Sequence, residues 1–207
     1  MAKLNSIADL RRVIPEPRPT TKVKILEALD EQSIDFLKRC PFALVSTTSP
    51  EGTIEVSPKG DEPGFIRVED SRTLLIPERV GNNLAFGLSN MIANGRIGMI
   101  CLVPATGETL RLSGTAEVFD DPDLVASLSS LGKPALLATR VKIKHCYFHC
   151  ARSIVRAGLW KPETWPAAGR ISFGKIIAPR MGQGEELADQ IDTGVAGAYK
   201  ERLWVNS

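Results

Sequence analysis

Between residues 42 and 119 the sequence keeps returning to strand-length segments separated by turn residues, and this rhythm constrains the fold more than any other feature. Residues 42–47 form an apolar run, Ser49-Pro50-Glu51-Gly52 supplies turn chemistry with a glycine able to take positive φ, and 53–59 alternates apolar with polar. Together they predict a hairpin. A second pair, 65–68 and 73–76, surrounds Asp70-Ser71-Arg72. Residues 97–103 read as a buried strand, 104–108 turn the chain, and 109–119 return as a long strand with a bend expected at Gly114. Val141 and Ile143 alternate with Lys142 and Lys144, giving one late strand. The sum predicts a mainly β chain, α+β in the broad sense: a β-barrel or strongly curved sheet with peripheral helices.

The helices are expected at the margins. Residues 1–22 hold Pro15, Pro17 and Pro19 and read as an extended arm rather than a packed element. Val23, Leu26 and Leu29 fit one helical face, and Ser33 reads as the N-cap of a short second helix stopped by Pro41. Leu84, Leu88, Met91 and Ile92 predict a helix between strands. Asp121 with Pro122 after it opens another, running to about Leu131. Residues 151–159 are expected to be helical. From 185 to 203, Leu187, Ile191, Val195, Tyr199 and Leu203 form an apolar seam on a long helix. Gly194 and Gly197 weaken that helix by about 1 kcal/mol each, so it needs a docking surface. The division is therefore an arm at 1–22, a body at 23–183, and a helix at 184–207 packed on its own domain or on a partner.

Composition narrows the function classes. The chain of 207 residues carries a net charge of +2, with its basic residues scattered, which argues against nucleic-acid or membrane-surface binding. No window approaches the roughly 18 apolar residues of a membrane span, and no secretory signal is visible at the start. Cys40 and Cys101 sit in apolar surroundings and read as small core residues. The expected location is the cytoplasm, with reduced thiols.

Three segments offer chemistry. In Glu55-Val56-Ser57-Pro58-Lys59, alternation sets Glu55, Ser57 and Lys59 on one face and Val56 and Pro58 on the other. That face suits a heterocycle and a phosphate, or simply solvent. In Leu75-Ile76-Pro77-Glu78-Arg79-Val80-Gly81-Asn82-Asn83, a strand runs into a loop that opens a helix, where free N–H groups favour anions. Arg79 adds a fork for phosphate, and Asn82 or Asn83 either caps the helix or donates to a ligand. Thr109, Arg111 and Ser113 share one strand face; Arg111 faces a ligand or pairs with Glu55 or Glu108, pairing being slightly favoured. A fourth segment, His145-Cys146-Tyr147-Phe148-His149-Cys150, holds both histidines and two of the four cysteines. As a strand it places His145, Tyr147 and His149 on one face. It makes no tetrahedral ligand set, so no metal is assigned to it.

Read in order, these segments resemble the pyridoxamine 5′-phosphate oxidase-related FMN-binding proteins, and within them a bacterial subfamily of flavin-nucleotide-binding proteins. The likeness is carried by Val56-Ser57-Pro58-Lys59-Gly60-Asp61, Pro63-Gly64-Phe65, Thr73-Leu74-Leu75-Ile76-Pro77, Arg79-Val80-Gly81-Asn82-Asn83, Glu108-Thr109-Leu110-Arg111-Leu112-Ser113-Gly114, and Tyr147-Phe148-His149-Cys150 with Leu159-Trp160. The resemblance implies a split-barrel homodimer with FMN at the subunit interface, and an FMN-dependent oxidoreductase. It places Ser57, Pro58 and Lys59 against the flavin and its phosphate, Leu75, Ile76 and Pro77 beside the ring, Arg79, Asn82 and Asn83 around the phosphate, and Arg111 among the cofactor contacts. Two departures matter. The oxidases carry Ser-Arg-Lys where this chain has Gly81-Asn82-Asn83, and the C-terminal segment that grips pyridoxamine phosphate has no match in Glu201-Arg202-Leu203-Trp204. Pyridoxamine phosphate is therefore not the expected substrate. A flavin carrier or sensor, and a split barrel for deazaflavin or haem, remain the alternatives.

Overall fold

The computed structural model describes residues 3–203. In chain order the elements are helices α1 (Ile7–Val13), α2 (Pro19–Lys22) and α3 (Glu31–Lys38), then strands β1 (Phe42–Thr48), β2 (Ile54–Gly60), β3 (Arg67–Asp70) and β4 (Thr73–Glu78). Helix α4 (Phe86–Asn94) leads into β5 (Arg96–Leu102) and β6 (Thr109–Phe119). Helix α5 (Pro122–Ser127) and β7 (Leu137–His149) follow, and α6 (Arg152–Ala157), α7 (Phe173–Ile177) and α8 (Glu185–Glu201) end the described chain. The strands form one antiparallel sheet in the order β2-β1-β5-β6-β7-β4-β3.

The sheet curls around an inner face that is apolar on β1, β5, β6, β7 and β4. Ala43 and Val45, Met99 and Cys101, Leu110 and Leu112, Val141 and Cys146, and Leu74 and Ile76 all enter one core, with Phe36 and Leu37 of α3 and Met91 of α4 closing its ends. An ion pair between Lys59 on β2 and Glu78 on β4 joins strands far apart in sheet order, so the curl is nearly a full turn. The result is a split β-barrel.

Glycine shapes the long β6–β7 pair. A Cβ on Gly114 would lie 1.9 Å from the Lys142 carbonyl oxygen, and at this position the register shifts. The shift reverses the parity of β7: Val141 and Ile143 point inward before it, Cys146 after it. His145, Tyr147 and His149 consequently share the outer face. All four cysteines are free; Cys40, Cys101 and Cys146 are buried. The neighbouring Cys40 side chain and burial together push the Cys101 thiol up, so it behaves as a core residue.

Several expectations at the margins are corrected. The N-terminal arm is not wholly extended: Ser6 accepts from the Asp9 amide and Asp9 answers to the Ser6 amide, a capping box that starts α1, while Pro19 begins α2. Residues 1–2 of the arm and 204–207 of the C-terminal segment, Trp204 among them, lie outside the described residues. Val23, Leu26 and Leu29 do not form a helix. The Leu26 backbone exchanges two hydrogen bonds with Cys146 instead, making a bridge to β7. The cap of α3 is Asp30, whose carboxylate accepts from the Ser33 amide; Ser33 is itself buried one turn in. Leu84 precedes α4, α5 stops at Ser127 rather than Leu131, and α6 is shorter than the 151–159 expected. The Asp121 cap with Pro122 at the first position stands as read. Among the described residues no helix is long and apolar enough to cross a membrane.

Candidate functional site

A cavity of about 640 Å³ opens where the free edge of the curl, β2, comes round to the end of β4. Glu55, Ser57 and Lys59 line one side, Pro77 and Glu78 the floor, and the segment 79–85 with Phe86, Leu88 and Met91 of α4 the opposite side. One wall is thus polar, and the facing wall sets apolar side chains of α4 beside Arg79, Asn82 and Asn83.

Strand β2 shows why the polarity divides this way. Glu55, Ser57 and Lys59 are half-buried and turn inward, while Ile54 and Val56 are 67% and 59% exposed. An edge strand with its polar face inward and its apolar face in solvent inverts the usual alternation. The inward polar face needs a hydrogen-bonding occupant, and the outward apolar face needs a cover.

The loop after β4 is held in an unusual backbone. Asn83 and Ala85 both have positive φ, 59° and 52°. Asn82 accepts from the Leu84 amide at 3.1 Å, which shapes the turn. Neither asparagine caps α4: its N-cap is Ala85, with no side-chain hydrogen bond. The first-turn amides of α4 are therefore left for water or a ligand, at the cavity wall. Left-handed non-glycine residues cost about 1–3 kcal/mol each and gather at ligand sites.

Two crossed ion pairs close the floor. Glu78, a buried carboxylate, takes Lys59 on one oxygen and accepts from the Thr139 hydroxyl on the other at 2.8 Å. Arg79 Nε donates to Asp61 at 2.6 Å and its Nη2 to the Leu128 carbonyl at 2.7 Å. The Ser130 hydroxyl donates to the other Asp61 oxygen at 2.7 Å. The Arg79 and Asp61 side chains are 12% and 1% exposed, so this pair is a buried latch holding the loop after α5 against the end of β2.

Of the residues singled out from sequence, the fold brings Ser57, Pro58, Lys59, Pro77, Arg79, Asn82 and Asn83 around one cavity. Leu75 and Ile76 do not line it. Ile76 belongs to the main core, and Leu75, on the other face of β4, packs with Leu128, Ala135 and Ala138. Arg111 is also elsewhere. Its row across the sheet is Pro58, Leu44, Ile100, Arg111 and Tyr147, on the outer face, and it pairs with neither Glu55 nor Glu108 but lies 5.6 Å over the Tyr147 ring. Glu78, which lines the cavity, and Asp61, which anchors Arg79 beside it, are candidate-site residues that the sequence reading did not single out. Their partners are 19 and 18 residues away, a separation with no local signal. Among the described residues no group of three or more histidine, cysteine, aspartate or glutamate side chains is arranged to hold a metal ion.

The sequence profile of the pyridoxamine 5′-phosphate oxidase family matches residues 29–150. No curated protein matches the chain. Among solved structures, HupZ of Group A Streptococcus is 16% identical with a TM-score of 0.47, covering 58% of this chain and 93% of that one. A Clostridium acetobutylicum protein related to general stress protein 26 of B. subtilis is 13% identical, with a TM-score of 0.45 over 59% of this chain and 91% of its own. The FAD binding protein of Mycobacterium smegmatis is 16% identical, with a TM-score of 0.42 over 60% and 97%.

Proposed function

This chain belongs to the pyridoxamine 5′-phosphate oxidase family, and from that premise we propose that it binds FMN in the cavity beside β2 and acts as an FMN-dependent oxidoreductase on a substrate other than pyridoxamine phosphate. The observation that carries the reading is the polar inner face of β2 set opposite the apolar side chains Phe86, Leu88 and Met91 of α4, with uncapped α4 amides beside them. A flat ring with one hydrogen-bonding edge suits two such walls. Ser57 offers a hydroxyl to that edge, Pro77 and Met91 bound the ring, and the amides at the start of α4 take the phosphate.

The charge arrangement supports the limit on substrate. Among the described residues, Lys59 and Arg79 are the only basic side chains in the cavity wall, and each already has a carboxylate partner. Lys59 keeps two N–H donors for a ligand, whereas Arg79 acts through the shape of the loop. A second phosphate, such as pyridoxamine phosphate would bring, finds no free cation in this wall.

Bound FMN would supply hydride and electron transfer; the protein's part is to bind, orient and exclude water. The exposed apolar face of β2 supports a homodimer in which a second copy covers it. Arg111 and Tyr147 lie on that same outer face. In such a dimer Arg111 meets the ligand of the other subunit, the only way it joins the site.

Side-by-side titration with FMN and riboflavin tests the placing of the phosphate. FMN binds at least tenfold tighter if the α4 amides hold it, and equal affinities would overturn that assignment. Rapid bleaching of the bound flavin by NAD(P)H separates an enzyme from a carrier.

A further inference from the structure

The geometry points to a second docking surface: helix α1 of one copy lies on the α7–α8 hairpin of another. This proposal does not depend on the flavin reading.

The hairpin is built with its small residues inside and its large ones outside. Gly174 of α7 meets α8 so closely that a Cβ there would sit 1.9 Å from the Ala188 carbonyl oxygen. Asp192 of α8 fixes the contact by accepting from the Ser172 hydroxyl at 2.5 Å and the Gly174 amide at 2.9 Å. Gly174, Ala178 and Ala188 are the buried residues of this unit. Phe173, Ile176, Ile177 and Met181 face outward, the last 63% exposed. A free-standing hairpin would bury these four and expose the small residues.

Helix α1 has the complementary defect. Ile7 and Leu10 share one face of α1, with Ile14 just past its end, yet α1 buries no residue and Ile7 is 71% exposed. Both segments lie outside the matched residues 29–150, so neither belongs to the shared barrel.

Charge identifies the occupant. The arm, residues 1–22, carries Lys3, Arg11, Arg12, Arg18 and Lys22 against Asp9 and Glu16, an excess of three positive charges, with Arg11 and Arg12 ion-paired to Glu16 and Asp9 inside it. Helix α8 opens with Glu185, Glu186 and Asp189 and has no basic residue before Lys200, even with Asp192 set aside because it caps α7. A basic amphipathic helix and an acid-flanked apolar hairpin, uncovered in one chain, cover each other between two.

Zero-length carbodiimide coupling of two differently tagged, co-expressed full-length copies tests this. One copy carries Glu185→Gln, Glu186→Gln and Asp189→Asn; the other carries Lys3→Arg and Lys22→Arg. Any link from Lys3 or Lys22 to these three carboxylates must then run between copies. The expected result is such a link in complexes recovered through both tags, falling at least tenfold when Arg11→Glu and Arg12→Glu are added to the first copy. Neither arginine touches the core, so the barrel keeps its fold; because they pair with Glu16 and Asp9 inside the arm, Arg11→Gln with Arg12→Gln is run beside them and should lower the link in the same direction by a smaller factor. No complex through both tags, complexes without the link, or a link indifferent to the arginine changes would each overturn the proposal. Flavin titration of the same samples reads the cavity separately.

Discussion

Strands β2 and β4 flank the same cavity, and both were read from sequence as ligand strands, yet they contribute in opposite ways. Every residue of β4 is buried, and only its end, Pro77 and Glu78, reaches the cavity. Strand β2 has no fully buried residue and gives the cavity an entire polar face. The difference follows from position in the sheet. β4 lies between β7 and β3 with side chains packed on both faces, whereas β2 is a free edge. A central strand spends its side chains on the fold; an edge strand can spend them on a ligand and a partner.

Mutations on the two strands break or sharpen this contrast. The largest effect is expected from Arg79→Ala at the exit of β4, which leaves the buried Asp61 carboxylate without its guanidinium. A loss of about 3–5 kcal/mol in denaturant unfolding is expected, and wild-type stability with weakened FMN binding would return Arg79 to the phosphate. Ile76→Ala on β4 empties a core position and should cost about 2–5 kcal/mol in the same measurement. On β2, Val56→Asp should shift unfolding by no more than about 0.5 kcal/mol while converting a dimer to monomer in sedimentation. A large stability loss without a change in mass would mean that Val56 is core after all. Ser57→Ala should leave both stability and mass unchanged and weaken FMN several-fold by fluorescence titration.

The smallest effect is at the α7–α8 hairpin. The Gly174 amide and the Ser172 hydroxyl hold the Asp192 carboxyl below its usual range. A depressed carboxylate contributes stability that is present above the ordinary aspartate value of 3.8 and lost as pH falls through the lower folded value. Protection of the Gly174 amide, measured relative to its intrinsic exchange rate, should therefore hold above the ordinary aspartate value of 3.8 and fall below it, and Asp192→Asn should remove that loss of protection.

Much of the barrel was legible because period-2 alternation is a local signal. The boundaries of β6 and the shared face of Glu55, Ser57 and Lys59 could be read directly from neighbouring residues, whereas the inward turn of that face could not. What failed was non-local. The Val23–Leu26–Leu29 spacing suggested a helix, but the Leu26 backbone was claimed by Cys146, 120 residues later in the chain. Arg79 showed its charge in the sequence and hid its partner, and Glu78 looked like an ordinary strand end until Lys59 met it. The α1 cap was missed for a local reason: prolines dominated the reading of the arm, and Asp9 stood where a longer acid is usual.

The central claim is that β2 presents a ligand face for FMN, and the bound chromophore of the purified full-length protein tests it most directly. The account predicts a yellow protein that releases one FMN per chain on denaturation, or a colourless one that takes up one added FMN per chain with saturation. A protein that is colourless and ignores FMN, or that releases a different chromophore, would contradict it.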